Sequence, residues 1–138
     1  MYITPFLNQY LYRCFYHLSS NFKYYSQKYY LIKSVGIIIE YAPSIIQNHI
    51  DNLLKLLLKY LSDENNYDGL QELFFELIKT LAVRIPQTII PYAQEFSYHL
   101  VEAMKDKLNT KKRLAALKTF LSIIKECGYV VLPYFQIP

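Results

Sequence analysis

Residues 43–61 read PSIIQNHIDNLLKLLLKYL, and residues 86–104 read PQTIIPYAQEFSYHLVEAM. The first stretch places apolar side chains at Ile46, Ile50, Leu53, Leu54, Leu57, Leu58 and Leu61. Steps of three and four residues gather such side chains on one face of a helix. At a shift of 43, Pro43 meets Pro86, Ile46 meets Ile89, Leu53 meets Phe96, Leu57 meets Leu100 and Leu61 meets Met104. A helix that recurs at a fixed interval, with its proline start kept, marks a repeating unit.

The interval extends in both directions. A shift of 42 puts Ile78 on Phe120, Leu81 on Ile123, Ile89 on Val131, Pro91 on Pro133 and Tyr92 on Tyr134. Backwards by 43, Leu61 falls on Leu18 and Leu54 on Leu11. Other runs keep the helical spacing: Leu70, Leu73, Phe74, Leu77, Ile78 and Leu81, then Leu114, Leu117, Phe120, Leu121, Ile123 and Ile124. Polar turns at 19–21, 62–66 and 106–110 alternate with junctions at Pro43, Pro86, Pro91 and Pro133. Proline lacks the N–H and disfavours α geometry in the residue before it, so helices stop or bend there. The spacing predicts helices over 4–19, 24–41, 44–61, 67–85, 90–106 and 111–127, and no stretch alternates long enough to argue a sheet. The expected fold is all-α, an α-solenoid of antiparallel helix pairs that is HEAT-like, an armadillo-type superhelix. Two helices per repeat of about 40–47 residues is the signature of that class.

Each pair carries more apolar surface than it can bury alone and stacks on its neighbours. The expected organisation is one segment, 1–138, of about three helix pairs, open at both ends, with a further repeat starting near residue 133. Complete solenoids end in polar capping repeats. Their absence here leads to the expectation that the 138 residues are a slice of a longer array.

Composition narrows the function classes. Apolar residues make up 53% and charged residues 19%, against a net charge of +4. Such a chain is too hydrophobic to be intrinsically disordered and too weakly basic for a dedicated nucleic-acid binder. The longest stretches without Asp, Glu, Lys or Arg are 12 residues, Met1–Tyr12 and Cys127–Pro138. A spanning helix needs about 20, so no transmembrane segment is expected. Cys14 and Cys127 have neither metal-site spacing nor a disulfide framework and are expected to be reduced and largely buried. The 15 tyrosines, the lack of Trp and the many Ile, Lys and Asn point to AT-rich coding DNA rather than to chemistry.

Residues 111–138 read KKRLAALKTFLSIIKECGYVVLPYFQIP. This string resembles part of the helical-repeat region of the target-of-rapamycin (TOR) kinases, members of the phosphatidylinositol-3-kinase-related protein kinases. The family pattern is a basic pair, then Ala-Ala-Leu-Lys-Thr, then Gly-Tyr-Val-Val/Ile-x-Pro-Tyr, ending in Tyr-Pro. Lys112, Arg113, Ala115, Ala116, Leu117, Lys118, Thr119, Gly128, Tyr129, Val130, Val131, Pro133, Tyr134 and Pro138 match it. Phe120-Leu121-Ser122 stands where a Leu-Gly pair is usual, and Ile137 where Tyr is usual. The likeness covers about 86–138. It implies a non-catalytic interaction scaffold in a TOR-like serine/threonine protein kinase, whose partners are accessory subunits and neighbouring repeats. It also implies a cytoplasmic location, with peripheral attachment to an internal membrane through the parent complex. The alternative is an unrelated HEAT adaptor of the transport-receptor or phosphatase-scaffold type, with no kinase attached.

Two groups of residues are singled out. Gly128, Tyr129, Val130, Val131, Pro133 and Tyr134 form a structural repeat-junction motif. Gly128 is expected in the left-handed C′ conformation that ends a helix, with Lys125 in the last turn, where a cation suits the dipole. Val130 and Val131 are expected to pack across to the next repeat, Pro133 to open its first turn and Tyr134 to cover the junction. Lys105, Lys107, Lys111, Lys112 and Arg113 cluster at one turn and are the candidate partner-binding basic surface, diluted by Glu102 and Asp106.

No constellation carries catalysis. Gly-x-Gly-x-x-Gly, His-Arg-Asp and Asp-Phe-Gly are absent, as are a phosphate-binding loop and His-Glu-x-x-His. The chain itself is therefore read as no enzyme, with no small-molecule substrate and no cofactor. His17, His49 and His99 are too far apart for a metal site and are expected at the solvent or at junctions. Glu72 and Glu76 sit one turn apart, as a solvated helix face does. Tyr24, Tyr25, Tyr29 and Tyr30 alternate with Lys23 and Lys28, a weak base-stacking signal that is better read as groove packing.

Overall fold

The computed structural model describes residues 3–19, 25–62 and 68–135. The predicted turns at 20–21 and 63–66, together with Lys23, Tyr24, Ile137 and Pro138, lie outside the described residues. Every regular element among the described residues is helical. In chain order these are α1 (Ile3–Ser19), α2 (Tyr25–Tyr41), α3 (Pro43–Ile46), α4 (Ile50–Ser62), α5 (Asp68–Arg84), α6 (Ala93–Met104) and α7 (Thr110–Cys127). Short 3-10 turns occupy Gln47–His49, Pro86–Thr88, Ile90–Tyr92, Gly128–Val130 and Leu132–Tyr134.

Two stretches predicted as single helices are broken near their starts. The one expected over 44–61 is α3, a 3-10 turn and α4; the one expected over 90–106 is a 3-10 turn followed by α6. The prolines explain the corners. Ala42, before Pro43, sits at φ −143° and ψ 58°, and Ile85, before Pro86, at φ −140° and ψ 67°. Both have been pushed out of the α region by the following ring, so the chain turns the same way at both places. Beyond each corner one isoleucine is fully buried, Ile46 and Ile89.

The packing has two rows. Helices α2, α5 and α7 lie side by side in one; α1, α4 and α6 form the other; α1 on α2, α4 on α5 and α6 on α7 join the rows. Between them runs one continuous apolar core from Leu11 to Phe135. Helix α4 shows how the pattern is read: Leu53, Leu54, Leu56, Leu57, Tyr60 and Leu61 are buried, while Asp51, Asn52, Lys55 and Lys59 are exposed.

The polar contacts between neighbouring helix pairs keep a nearly constant separation in sequence. His49 Nε2 bonds Asn8 Oδ1 at 2.8 Å, 41 residues away. The Tyr60 hydroxyl donates to the Leu18 carbonyl, 42 residues away. Arg84 donates to Glu40, and Thr119 Oγ1 donates to the Phe75 carbonyl at 2.8 Å, each spanning 44. The Cys127 thiol lies 3.7 Å from the Pro86 carbonyl, spanning 41. The Ser62–His99 contact at the exposed edge spans 37.

No single helix among the described residues is long and apolar enough to cross a membrane. Gln27–Tyr41 and Pro43–Ser62 reach that measure only together, and they meet at a 115° bend.

Candidate functional site

The two surfaces singled out from sequence both lie on the α6–α7 unit. At the turn between these helices the polar groups are largely spent on one another. Asp106 Oδ1 accepts from the Leu108 N–H at 2.9 Å and the Asn109 N–H at 3.2 Å, closing the turn locally. Asn109 then caps α7, its Oδ1 accepting from the Lys112 N–H at 3.0 Å. Lys112 Nζ returns to Asp106 Oδ2 at 3.2 Å, with only 16% of its side chain exposed. The Leu108 N–H, with help from Lys112, holds the Asp106 carboxyl below its ordinary range.

That arrangement divides the basic cluster. Lys105 pairs with Glu102 at 3.4 Å, and the Arg113 guanidinium donates to Thr110 Oγ1 at 3.2 Å. Lys112 belongs to the turn. Lys107 and Lys111 are exposed on either side of it. The five cations therefore do not converge on one point. A turn with its own carboxylate is a weak anion site, and Lys107 and Lys111 stand exposed at its rim.

The junction motif sits at the other end of α7. Lys125 is in its last turn, and Gly128 follows at φ 73° and ψ −151°. The positive φ agrees with the sequence expectation, but the ψ does not: this is an extended, mirror-image conformation essentially reserved for glycine, not the left-handed helical cap. Val131 is fully buried and Phe135 nearly so, with the Phe135 ring 5.0 Å from that of Phe120. Tyr129, Val130 and Tyr134 are exposed, Tyr129 at 88%. Val130 is 61% exposed, and Phe135 rather than Tyr134 is buried at the junction. The segment copies the one before it. Leu132-Pro133-Tyr134 forms a 3-10 turn as Ile90-Pro91-Tyr92 does, each preceded by a fully buried residue, Val131 and Ile89.

The remaining candidates fall to packing. His49 is buried under α1, with the Tyr12 ring edge-on at 4.6 Å, at a junction rather than at the solvent; burial lowers its basicity. His99 is half-buried and also shifted down by burial. Burial raises both thiols, Cys14 and Cys127, so neither is poised as a thiolate. Glu72 and Glu76 line a groove with Lys79 and Lys118. Tyr29 and Tyr30 pack edge-to-face on each other, with the Lys33 ammonium over the Tyr29 ring. Among the described residues no group of three or more His, Cys, Asp or Glu is placed to hold a metal.

The apolar run of α7 is buried only in part. The run Leu114, Leu117, Phe120, Leu121, Ile123 and Ile124 looked like one buried stripe. Phe120 and Ile123 are buried, but Leu114, Leu117 and Leu121 are 49%, 37% and 55% exposed. The stripe is too wide for one face, and that width was the available signal.

No protein-family model, curated protein or solved structure matches the chain.

Proposed function

We propose that this chain is a stretch of HEAT-type α-solenoid serving as a non-catalytic, protein-interaction scaffold in a TOR-like serine/threonine protein kinase. The observation that carries the solenoid is the recurring register. Contacts between successive helix pairs span 41 to 44 residues in five places, and the chain turns alike before Pro43 and Pro86. A closed bundle has no reason to repeat one interval, whereas stacked repeats must. The TOR assignment rests on the Lys111–Pro138 string. Its junction residues support it physically: Gly128 holds a backbone few other residues reach, and Val131 fills the buried position.

The mechanism is geometric. Stacked pairs form a stiff support that fixes distances and presents turns and ridges to protein partners. Accessory subunits of a cytoplasmic kinase complex are the proposed partners, and the kinase chemistry belongs to other sequence. Reading the transcript in frame past the Pro138 codon tests this. A serine/threonine kinase domain downstream is the expected result. A stop codon after a polar capping repeat removes the kinase and leaves an unattached HEAT adaptor.

A further inference from the structure

Helices α1 and α4 pack side by side, and between them runs an open groove of about 430 Å³. Tyr12, Phe15 and Tyr16 supply its α1 wall, at the three- and four-residue steps that keep to one helix face. Asn52, Lys55, Leu56 and Lys59 supply the α4 wall by the same steps. Seven residues of helix rise roughly 10 Å, so the groove is about two turns long. Its floor is apolar: Phe15 is 6% exposed and Leu56 5%.

The charged groups in this lining are of one sign. Lys55 and Lys59 stand on α4, and among the described residues no carboxylate lines the groove. An ammonium donates hydrogen bonds and accepts none, and the tyrosine hydroxyls opposite can donate as well. Two grooves of the other row differ. Between α2 and α5, Lys33 shares the lining with Glu40 and Glu76; between α5 and α7, Lys79, Lys111 and Lys118 share it with Glu72 and Glu76. There the chain supplies both signs itself, whereas the α1–α4 groove asks for acceptors from outside. Its aromatic wall is also held in place. Tyr12 packs edge-to-face with the buried His49 at 4.6 Å, and Tyr16 with His17 at 5.5 Å. Rings fixed in this way give contact area at little entropic cost.

We propose that the α1–α4 groove docks a short acidic segment of a partner protein, which seats an aliphatic or aromatic side chain on Phe15 and Leu56 and sets a carboxylate against Lys55, with Lys59 one turn along. This deepens the scaffold reading by assigning a surface and a partner chemistry, and it rests on that reading for a protein as the occupant. A peptide fits better than a nucleic acid or an anionic membrane, because the floor is apolar, the cations stand on one wall only and the net charge of the chain is just +4. Charges at a rim steer and select more than they hold, so the apolar anchor and the carboxylate are both needed.

Selection from a library of random short peptides on the immobilised full chain tests this, followed by fluorescence anisotropy of the enriched peptides. These should carry Asp or Glu within one helical turn of a large apolar residue. Lys55→Glu should weaken their binding about tenfold or more, and Tyr16→Ala should weaken it similarly. Both positions are exposed, so the helices should survive, as circular dichroism checks; Lys55→Gln, which only removes the charge, repeats the test should the reversal disturb the fold. Lys107→Glu makes the same charge reversal at the α6–α7 turn and should leave binding nearly unchanged. A selection that enriches nothing, peptides with no acidic bias, or binding that survives Lys55→Glu each overturn the proposal. So does capture of phosphatidylserine vesicles or a single-stranded oligonucleotide through these residues in place of peptides. The scaffold reading is decided separately by the reading frame past Pro138: a kinase domain there with a failed selection removes the groove alone.

Discussion

The sharpest expectation concerns two glycines given the same substitution. Gly128 sits at φ 73° and ψ −151°, a region that essentially only glycine occupies. A Cβ built there meets nothing within 4 Å, so Gly128→Ala adds backbone strain with no clash to complicate it. Strain of that kind costs about 1–3 kcal/mol. Gly36 lies inside α2, with a Cβ reaching Leu77 Cδ1 at 3.6 Å, an ordinary contact. There alanine relieves the entropic penalty of glycine in a helix, about 0.5–1 kcal/mol. For a chain of this length, each kcal/mol moves the unfolding midpoint by roughly 3 °C. Thermal unfolding followed by circular dichroism should therefore show Gly128→Ala melting some ~3–9 °C below wild type and Gly36→Ala ~1–3 °C above it. The opposite signs are the point, because any general effect of glycine replacement would move both the same way. A Gly128→Ala protein as stable as wild type would mean that the chain leaves α7 by another path, and the junction geometry would fall with it.

Three further outcomes follow from the packing. Thr119 Oγ1 is buried between the Phe75 carbonyl at 2.8 Å and the Ala115 carbonyl at 2.9 Å; Thr119→Val keeps the shape, loses the bond and should cost about 1 kcal/mol in urea titration, with no change being the adverse result. His49 and His99 are both held below the ordinary imidazole range by burial. The unfolded chain then takes up protons first on acidification, so the stability they contribute is present above the ordinary histidine range and lost as pH falls through it toward the folded values. His49→Gln should flatten that slope between neutral and mildly acidic pH, and an unchanged slope would count against the buried, neutral ring. At the α6–α7 turn, Lys112→Ala should lower the melting midpoint while Lys107→Ala and Lys111→Ala leave it unmoved, because only Lys112 is tied to Asp106; equal effects from all three would contradict that division.

Much of the architecture was legible because burial imposes a period. Leu53 and Leu57 point inward for the reason that Phe96 and Leu100 do, and helix ends were placed within a few residues by Pro43, Pro86 and the polar turn at 106–110. What escaped was finer than a periodicity. No spacing rule marks the 3-10 turns at Gln47–His49 and Ile90–Tyr92, because a helical apolar pattern is satisfied equally by a tighter first turn. The burial of His49 depends on α1, whose Asn8 bonds it from 41 residues away, and spacing alone leaves open whether a histidine sits at the solvent or at a junction. The basic cluster was legible as composition and misleading as a surface. Whether five cations act together depends on Asp106, Glu102 and the path of the turn, none of which changes the count of lysines.

The exposed leucines of α7 show where a sequence pattern and a single chain part company. Leu117 and Leu121 obey the helical spacing as faithfully as Phe120 and Ile123, yet both are exposed. In a closed globule an apolar residue in the pattern is buried within its own chain, and one left outside is an exception. In a stack each unit carries two sets of apolar positions, one for its partner helix and one for its neighbours. Phe75 and Ala82 are buried on the side where Thr119 of α7 bonds the Phe75 carbonyl, whereas on α7 Leu117 is exposed and Ile124 partly buried.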